Sequence, residues 1–120
     1  MSKIKDNSTN NQNRKFLTAC DMTYALQIIG GRWKMLIMMH LEKNPFRYGE
    51  LKKKISHITE RMLTLQLREM EEDNIVIRTV YPEVPPRVEY ELTKIGRELI
   101  PVLLQLSDWG EKHRETPEMF

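Results

Sequence analysis

Arg61, Thr64, Leu65 and Arg68 recur at a spacing that places them along one side of an α-helix. Arginine bonds guanine O6 and N7 together, threonine pairs with either kind of base edge, and leucine can cover a thymine methyl. Such a face suits the major groove of double-stranded DNA. Glu72 shares this side, whereas Leu63, Leu67 and Met70 fall opposite, with Thr59 and Gln66 expected beside them facing a core. The plain alternative is a solvated helix face carrying one scattered leucine.

The charge distribution adds to this picture. The whole chain of 120 residues carries a formal net charge of only +2. Between Arg32 and Lys54, however, seven basic residues (Arg32, Lys34, Lys43, Arg47, Lys52, Lys53, Lys54) meet two acids, Glu42 and Glu50. A local basic surface on a nearly neutral protein suits contact with phosphates, although a charged helix face facing water has the same composition.

Other chemistries find little footing. His40, His57 and His113 lack a metal-ligand spacing, and Glu69, Glu71 and Glu72 point in different directions on a helix. No phosphate-cradling glycine loop or nucleophile motif is present, so an enzyme is not expected, nor a cofactor. The single cysteine, Cys20, cannot form an internal disulfide and points to a reducing compartment. With no apolar run of membrane-spanning length and no apolar leader, the chain reads as cytoplasmic.

These residues need elements to hold them. Residues 1–15 are almost wholly polar and read as a disordered arm. Asp21 is a plausible cap for a helix bearing Met22, Ala25, Leu26 and Ile29, which Gly30 and Gly31 break. A second helix from about Arg32 carries Trp33, Leu36, Ile37, His40 and Leu41 inward and ends at Asn44-Pro45, and Phe46 to Tyr48 can supply no more than an edge strand. A short helix from Gly49 to Ile55 follows. Thr59 caps the next, which runs to about Asp73, and Asn74 can take the left-handed turn after it. The β-branched run Ile75 to Tyr81 and the run Arg87 to Leu92 flank a proline-rich loop as a hairpin, with Val88, Tyr90 and Leu92 on one buried face. Thr93 caps a last helix whose stripe of Ile95, Leu99, Val102, Leu103, Leu106 and Trp109, widened by Ile100 and Leu104, exceeds what a small domain buries. Pro101 predicts a kink or restart.

Three helices followed by a β-hairpin form the layout of a winged helix-turn-helix, in which the third core helix enters the major groove. The expected fold is mainly α with a small hairpin and an added C-terminal dimerisation helix. The expected organisation is an arm at 1–15, a DNA-binding domain at 16–92, the dimerisation helix at 93–114 and a tail at 115–120.

The chain also resembles the HxlR-type winged-helix regulators, relatives of the MarR group. The resemblance runs from Cys20 to about Gly110. It is carried by Ile29-Gly30-Gly31-Arg32-Trp33-Lys34, Phe46-Arg47-Tyr48-Gly49-Glu50-Leu51, Ile58-Thr59-Glu60-Arg61-Met62-Leu63-Thr64, Leu67-Arg68-Glu69-Met70-Glu71-Glu72-Asp73 and the hairpin Tyr81 to Thr93. Asp21 stands where the family usually has proline, and Asn74 where it usually has glycine.

The resemblance implies a homodimeric, DNA-binding transcription regulator, dimerised through its terminal helices. The expected DNA contacts are Arg47, Lys52, Lys53, Lys54, Thr59, Arg61, Thr64, Leu65, Arg68 and the wing residue Arg87. The expected dimer contacts are Leu99, Val102, Leu103, Leu106 and Trp109. Some relatives sense oxidants through a cysteine near Cys20, which makes it a redox candidate. Asp21 should raise its pKa and a helix N-terminus lower it, and a small buried hydrophobe is the alternative. The effector, small molecule or oxidant, is left open. From another functional class, a winged-helix protein-interaction module would use the same basic face or C-terminal stripe.

Overall fold

The computed structural model describes residues 20–116, so the polar arm expected over 1–15 and tail residues 117–120 lie outside the described residues. The described residues fall into two units divided between Gly31 and Arg32. In the first, α1 spans Asp21–Ile29. Its N-cap is Cys20, in extended conformation, rather than the expected Asp21, which is instead the first helical residue. There its carboxylate still faces the positive end of the helix dipole. Gly30 closes the helix at φ 50°, its amide donating to the Leu26 carbonyl, a left-handed geometry that costs glycine nothing. The helix buries none of its residues, and Met22, Tyr24 and Leu26 are exposed.

The remaining elements are α2 (Gly31–Leu41), β1 (Phe46–Arg47), α3 (Tyr48–Lys54), α4 (Glu60–Glu72), β2 (Val76–Tyr81), β3 (Arg87–Leu92) and α5 (Lys94–Glu115). Both strand pairs are antiparallel, in the order β1-β3-β2. The hairpin register runs from Val76 opposite Leu92 to Tyr81 opposite Arg87, and Phe46 pairs with Tyr90. The expected edge strand therefore exists and adds a third strand to the wing. Because β3 lies in the middle, its polar side is partly covered too. Glu89 and Glu91 are half-buried, as is Val88, while Tyr90 and Leu92 are buried.

The core takes Ile37, Met38 and Leu41 from α2, Leu51 and Ile55 from α3 and its end, and Leu63, Leu67 and Met70 from α4. On α2 the buried set is Lys34, Ile37, Met38 and Leu41. Trp33, Leu36 and His40, expected inside, are only half-buried. The inner face is thus rotated by about one residue, or about 100°, from the expected one.

A polar junction then fixes where α5 starts. Asn74 turns the chain at φ 61°, and the Ile75 amide donates to the Met70 carbonyl (2.8 Å). Thr93 donates its amide to the Ile75 carbonyl (2.9 Å) and its hydroxyl to the Asn74 carbonyl (2.7 Å), and accepts the Gly96 amide (3.0 Å). Arg97 Nη1 donates to the Glu42 carbonyl just past α2 (3.0 Å). The helix continues unbroken through Pro101, so no restart occurs.

The broad apolar stripe of α5 separates into two faces. Gly96, Ile100 and Leu103 are buried in the chain's own core, and Leu99 is half-buried. Ile95, Val102, Leu106 and Trp109 are exposed, along a line about 100° around the helix from the buried set. Leu103, expected among the dimer contacts, is therefore a core residue, and Ile95 takes a place on the outward line.

Gly96 packs so closely on the junction that an added Cβ would collide with the backbone oxygen of Ile75. Backbone cannot move aside as a side-chain tip can. Gly96→Ala should therefore destabilise the fold by about 1–3 kcal/mol, against the gain alanine usually brings to a helix, measurable as a lower urea midpoint at unchanged m.

Candidate nucleic-acid interface

Helix α4 starts at a well-made cap: the Thr59 hydroxyl accepts the Met62 amide at 3.0 Å. Thr59 itself is exposed and Gln66 half-buried, so neither joins Leu63, Leu67 and Met70 in the core as expected. Opposite them Arg61, Thr64, Leu65 and Arg68 are all exposed. With Tyr48 and Glu60 they line one open cleft of about 480 Å³. An exposed leucine between two arginines that have no ion-pair partner among the described residues puts an apolar spot in a basic surface, the mixture that base edges and thymine methyls reward.

Two contacts absent from the sequence expectations hold this helix. Lys34 of α2 pairs with Glu69 of α4 at 2.7 Å, with the lysine side chain 8 % exposed and the glutamate 42 %. Its position among Ile37, Met38 and Leu41 at helical spacing was the available signal, since a lysine there must find a partner. Tyr48, at the start of α3, places its hydroxyl on the first turn of α4. Nothing in the local pattern marks that contact. Beside them Trp33 packs near His57 of the turn before α4, ring centroids 5.3 Å apart, with Arg32 over the indole at 4.6 Å.

The basic run reaches the surface in part. Lys53 and Lys54 are exposed and Lys52 half-buried, in the last turn of α3, where lysine also suits the negative end of the helix dipole. Lys54 Nζ lies 5.8 Å from the Phe46 ring centre. Arg47 is exposed, and its amide donates to Glu50 Oε1 at 2.8 Å. Arg78 on β2, which was not foreseen, joins Thr64, Arg68, Glu71 and Tyr90 around a second cleft of about 300 Å³.

The wing arginine differs. Arg87 bonds Glu83 (2.9 Å) and Glu89 (2.7 Å) and lies over the Tyr81 ring at 4.0 Å. Burial works to lower its pKa, but the two carboxylates outweigh that and raise it. Its charge is neutralised within the wing, so it is not the free cation expected for phosphate contact.

A family model described as HxlR-like helix-turn-helix matches residues 28–118. The chain belongs to this family. An HTH-type transcriptional regulator of Bacillus subtilis, YdeP, is 50 % identical over 96 residues, covering 80 % of this chain and 75 % of that one. A second from that organism, YybR, is 46 % identical over 101 residues, covering 84 % and 81 %. Among solved structures, the redox regulator HypR in its oxidized form is 47 % identical with a TM-score of 0.73, covering 81 % of this chain and all of that one. The reduced form of YodB from B. subtilis is 34 % identical with a TM-score of 0.73, covering 82 % and 98 %. The expected fold class, mainly α with a small antiparallel sheet in a winged helix-turn-helix, is the one this HxlR-like chain adopts. Among the described residues, no helix is long and apolar enough to cross a membrane.

In the HxlR-like chain Cys20 is half-exposed at the N-terminus of α1. The Thr23 amide and hydroxyl, and then the Met22 amide, hold its thiol below the ordinary range, with burial opposing weakly. These groups lie at the open N-terminal end of the helix, where donors gather around the sulfur. The neighbouring Asp21 carboxylate, expected to raise the thiol, is not among the groups that shift it. A lowered thiol ionises at lower pH. Alkylation of Cys20 by iodoacetamide should therefore show a rate midpoint below that of an unperturbed cysteine in a short peptide measured alongside, and fall as pH drops through that midpoint. A midpoint at or above that of the peptide would contradict the cap effect.

Proposed function

We propose that this HxlR-like regulator binds operator DNA as a homodimer, α4 entering the major groove and the α3 lysines holding the phosphates, with Cys20 as an oxidant-responsive position. One observation carries the DNA reading. The outward side of α4 presents Arg61, Thr64, Leu65 and Arg68 together on one open cleft, while its other side is fixed in the core. Arg61 lies nearest the helix N-terminus, the end that enters the groove in this motif, and is assigned to base readout. Arg47, Lys52, Lys53 and Lys54 are assigned to phosphates, joined by Arg78 on the wing side.

The homodimer is supported by the exposed line of Ile95, Val102, Leu106 and Trp109 on α5, which water would otherwise cover at a cost. A two-fold arrangement then presents two α4 helices to half-sites about 34 Å apart. The redox role draws on the lowered Cys20 thiol and on the similarity to HypR, itself a redox regulator. With a single cysteine in the sequence, an intersubunit disulfide between copies would join Cys20 to Cys20. A cytoplasmic setting suits such a regulator.

Binding-site selection from random duplexes, followed by titration at several salt concentrations, tests the DNA reading. Arg61→Ala should lose preference at one position per half-site, costing about 1–3 kcal/mol there. Lys53→Ala should weaken all sequences alike and reduce the log-log salt slope by about 1 for each phosphate that the lysine no longer neutralises. Arg87→Ala combined with Glu83→Gln, which removes the cation without changing the local net charge, should leave that slope unchanged. A wild-type protein with no preferred sequence and a flat salt response would refute the reading.

The dimer has its own test. Leu106→Glu places a carboxylate on the outward line and should give monomers by sedimentation, while the fold persists because position 106 is not in the core. An unchanged assembly state for the wild type and this variant would reject the assigned surface.

A further inference from the structure

The Tyr48 hydroxyl lies 2.9 Å from the Glu60 carbonyl oxygen and 3.1 Å from Thr64 Oγ1. A carbonyl oxygen only accepts, so the single phenolic proton goes to Glu60. Residues 60 and 64 stand one helical turn apart in α4, and the Thr64 amide donates to that same carbonyl. Both its lone pairs are then used. The Thr64 hydroxyl cannot turn back on it, as a threonine inside a helix usually does. Its partner is the Tyr48 oxygen. Donation runs from Thr64 to Tyr48 to Glu60, and Thr64 has no proton left for anything outside. What it offers the cleft shared with Arg61, Leu65 and Arg68 is an acceptor.

We propose that Tyr48 is a specificity-determining residue, which fixes the polarity of the Thr64 hydroxyl so that Thr64 accepts from a base-edge amine and rejects a base-edge carbonyl. A free threonine hydroxyl serves donors and acceptors alike, and this ambiguity is removed here. The groups it selects in the major groove are adenine N6 and cytosine N4. The groups it disfavours are thymine O4 and guanine O6, because two oxygen lone pairs would then face each other. This rests on the DNA-binding reading above.

The test uses the full chain. Selection with the wild type and Thr64→Ala locates the base pair whose preference depends on residue 64. Duplexes are then made with the exocyclic amine of that pair deleted (adenine to purine, or cytosine to 2-pyrimidinone), with its carbonyl deleted, and with the pair inverted. Deleting the amine should weaken the wild type about 2- to 10-fold more than Thr64→Val, whereas deleting the carbonyl should affect both proteins equally. Tyr48→Phe leaves the Thr64 proton only the weak back-bond to the Glu60 carbonyl, which it can exchange for a base-edge acceptor. Relative to its own affinity for the original site, this variant should tolerate the inverted pair about 2- to 10-fold better than the wild type does.

Wild-type sensitivity to the carbonyl rather than the amine would overturn the proposal, as would a Tyr48→Phe protein with the wild-type inversion penalty. So would a Thr64→Ala protein whose selected motif is unchanged. The comparison of wild type with Thr64→Val decides the polarity even if Tyr48→Phe does not fold. A wild type that selects a motif but fails these comparisons loses only this inference, whereas one that selects no motif removes the DNA reading as well.

Discussion

Everything that α4 presents outward depends on how firmly its inward side is held. Leu63, Leu67 and Met70 are almost completely buried, and each removes enough apolar surface from water to contribute about 1.5–3 kcal/mol. Apolar packing fixes a helix against sliding away from the core but is tolerant of rotation. The polar contacts supply the missing restraint. Glu69 binds the nearly buried Lys34 of α2, and Tyr48 bonds the first turn at Glu60 and Thr64. One restraint sits at each end of the helix. Because the lysine is mostly desolvated, loss of Glu69 leaves a charge without a partner, so this pair resists rotation more than a surface ion pair would.

The same logic governs charge around the groove-facing side. The lysines at the end of α3 gain from the helix dipole, yet their ammonium groups reach solvent and stay available to an external anion. Arg87 has gone the other way. Two carboxylates and an aromatic face hold it, and it stiffens the wing at Tyr81 and Glu89 instead of adding to the positive field. Position on the wing was a poor guide to availability, because availability depends on what lies across the strand and loop.

Helix α5 serves two masters through one periodicity. Its buried face is set by the junction at Asn74, Ile75 and Thr93, where a left-handed turn, a cap and the close approach of Gly96 leave a single angle for the helix. That angle sends Ile100 and Leu103 into the core and leaves Ile95, Val102, Leu106 and Trp109 on the outside. Trp109 and His113 stack there, ring centroids 5.0 Å apart, extending an apolar and aromatic line to the end of the helix.

The sequence by itself determined the local events, because their causes are local. Helical and strand periodicity, the Thr59 and Thr93 caps, the turns at Gly30 and Asn74 and the outward set on α4 all follow from residues within a turn or two of each other. Other features depended on partners distant in sequence, and only the tertiary structure decided them. Lys34 became an inside residue because Glu69, on another helix, reaches it. Arg87 lost its freedom to a loop glutamate and a neighbour along its own strand, whose side chains meet it only once the hairpin has closed. Leu103 and Leu106 have the same side-chain chemistry and the same periodic claim to one stripe. The direction from which the core approaches α5 buries the first and exposes the second, and no count along the chain carries that direction.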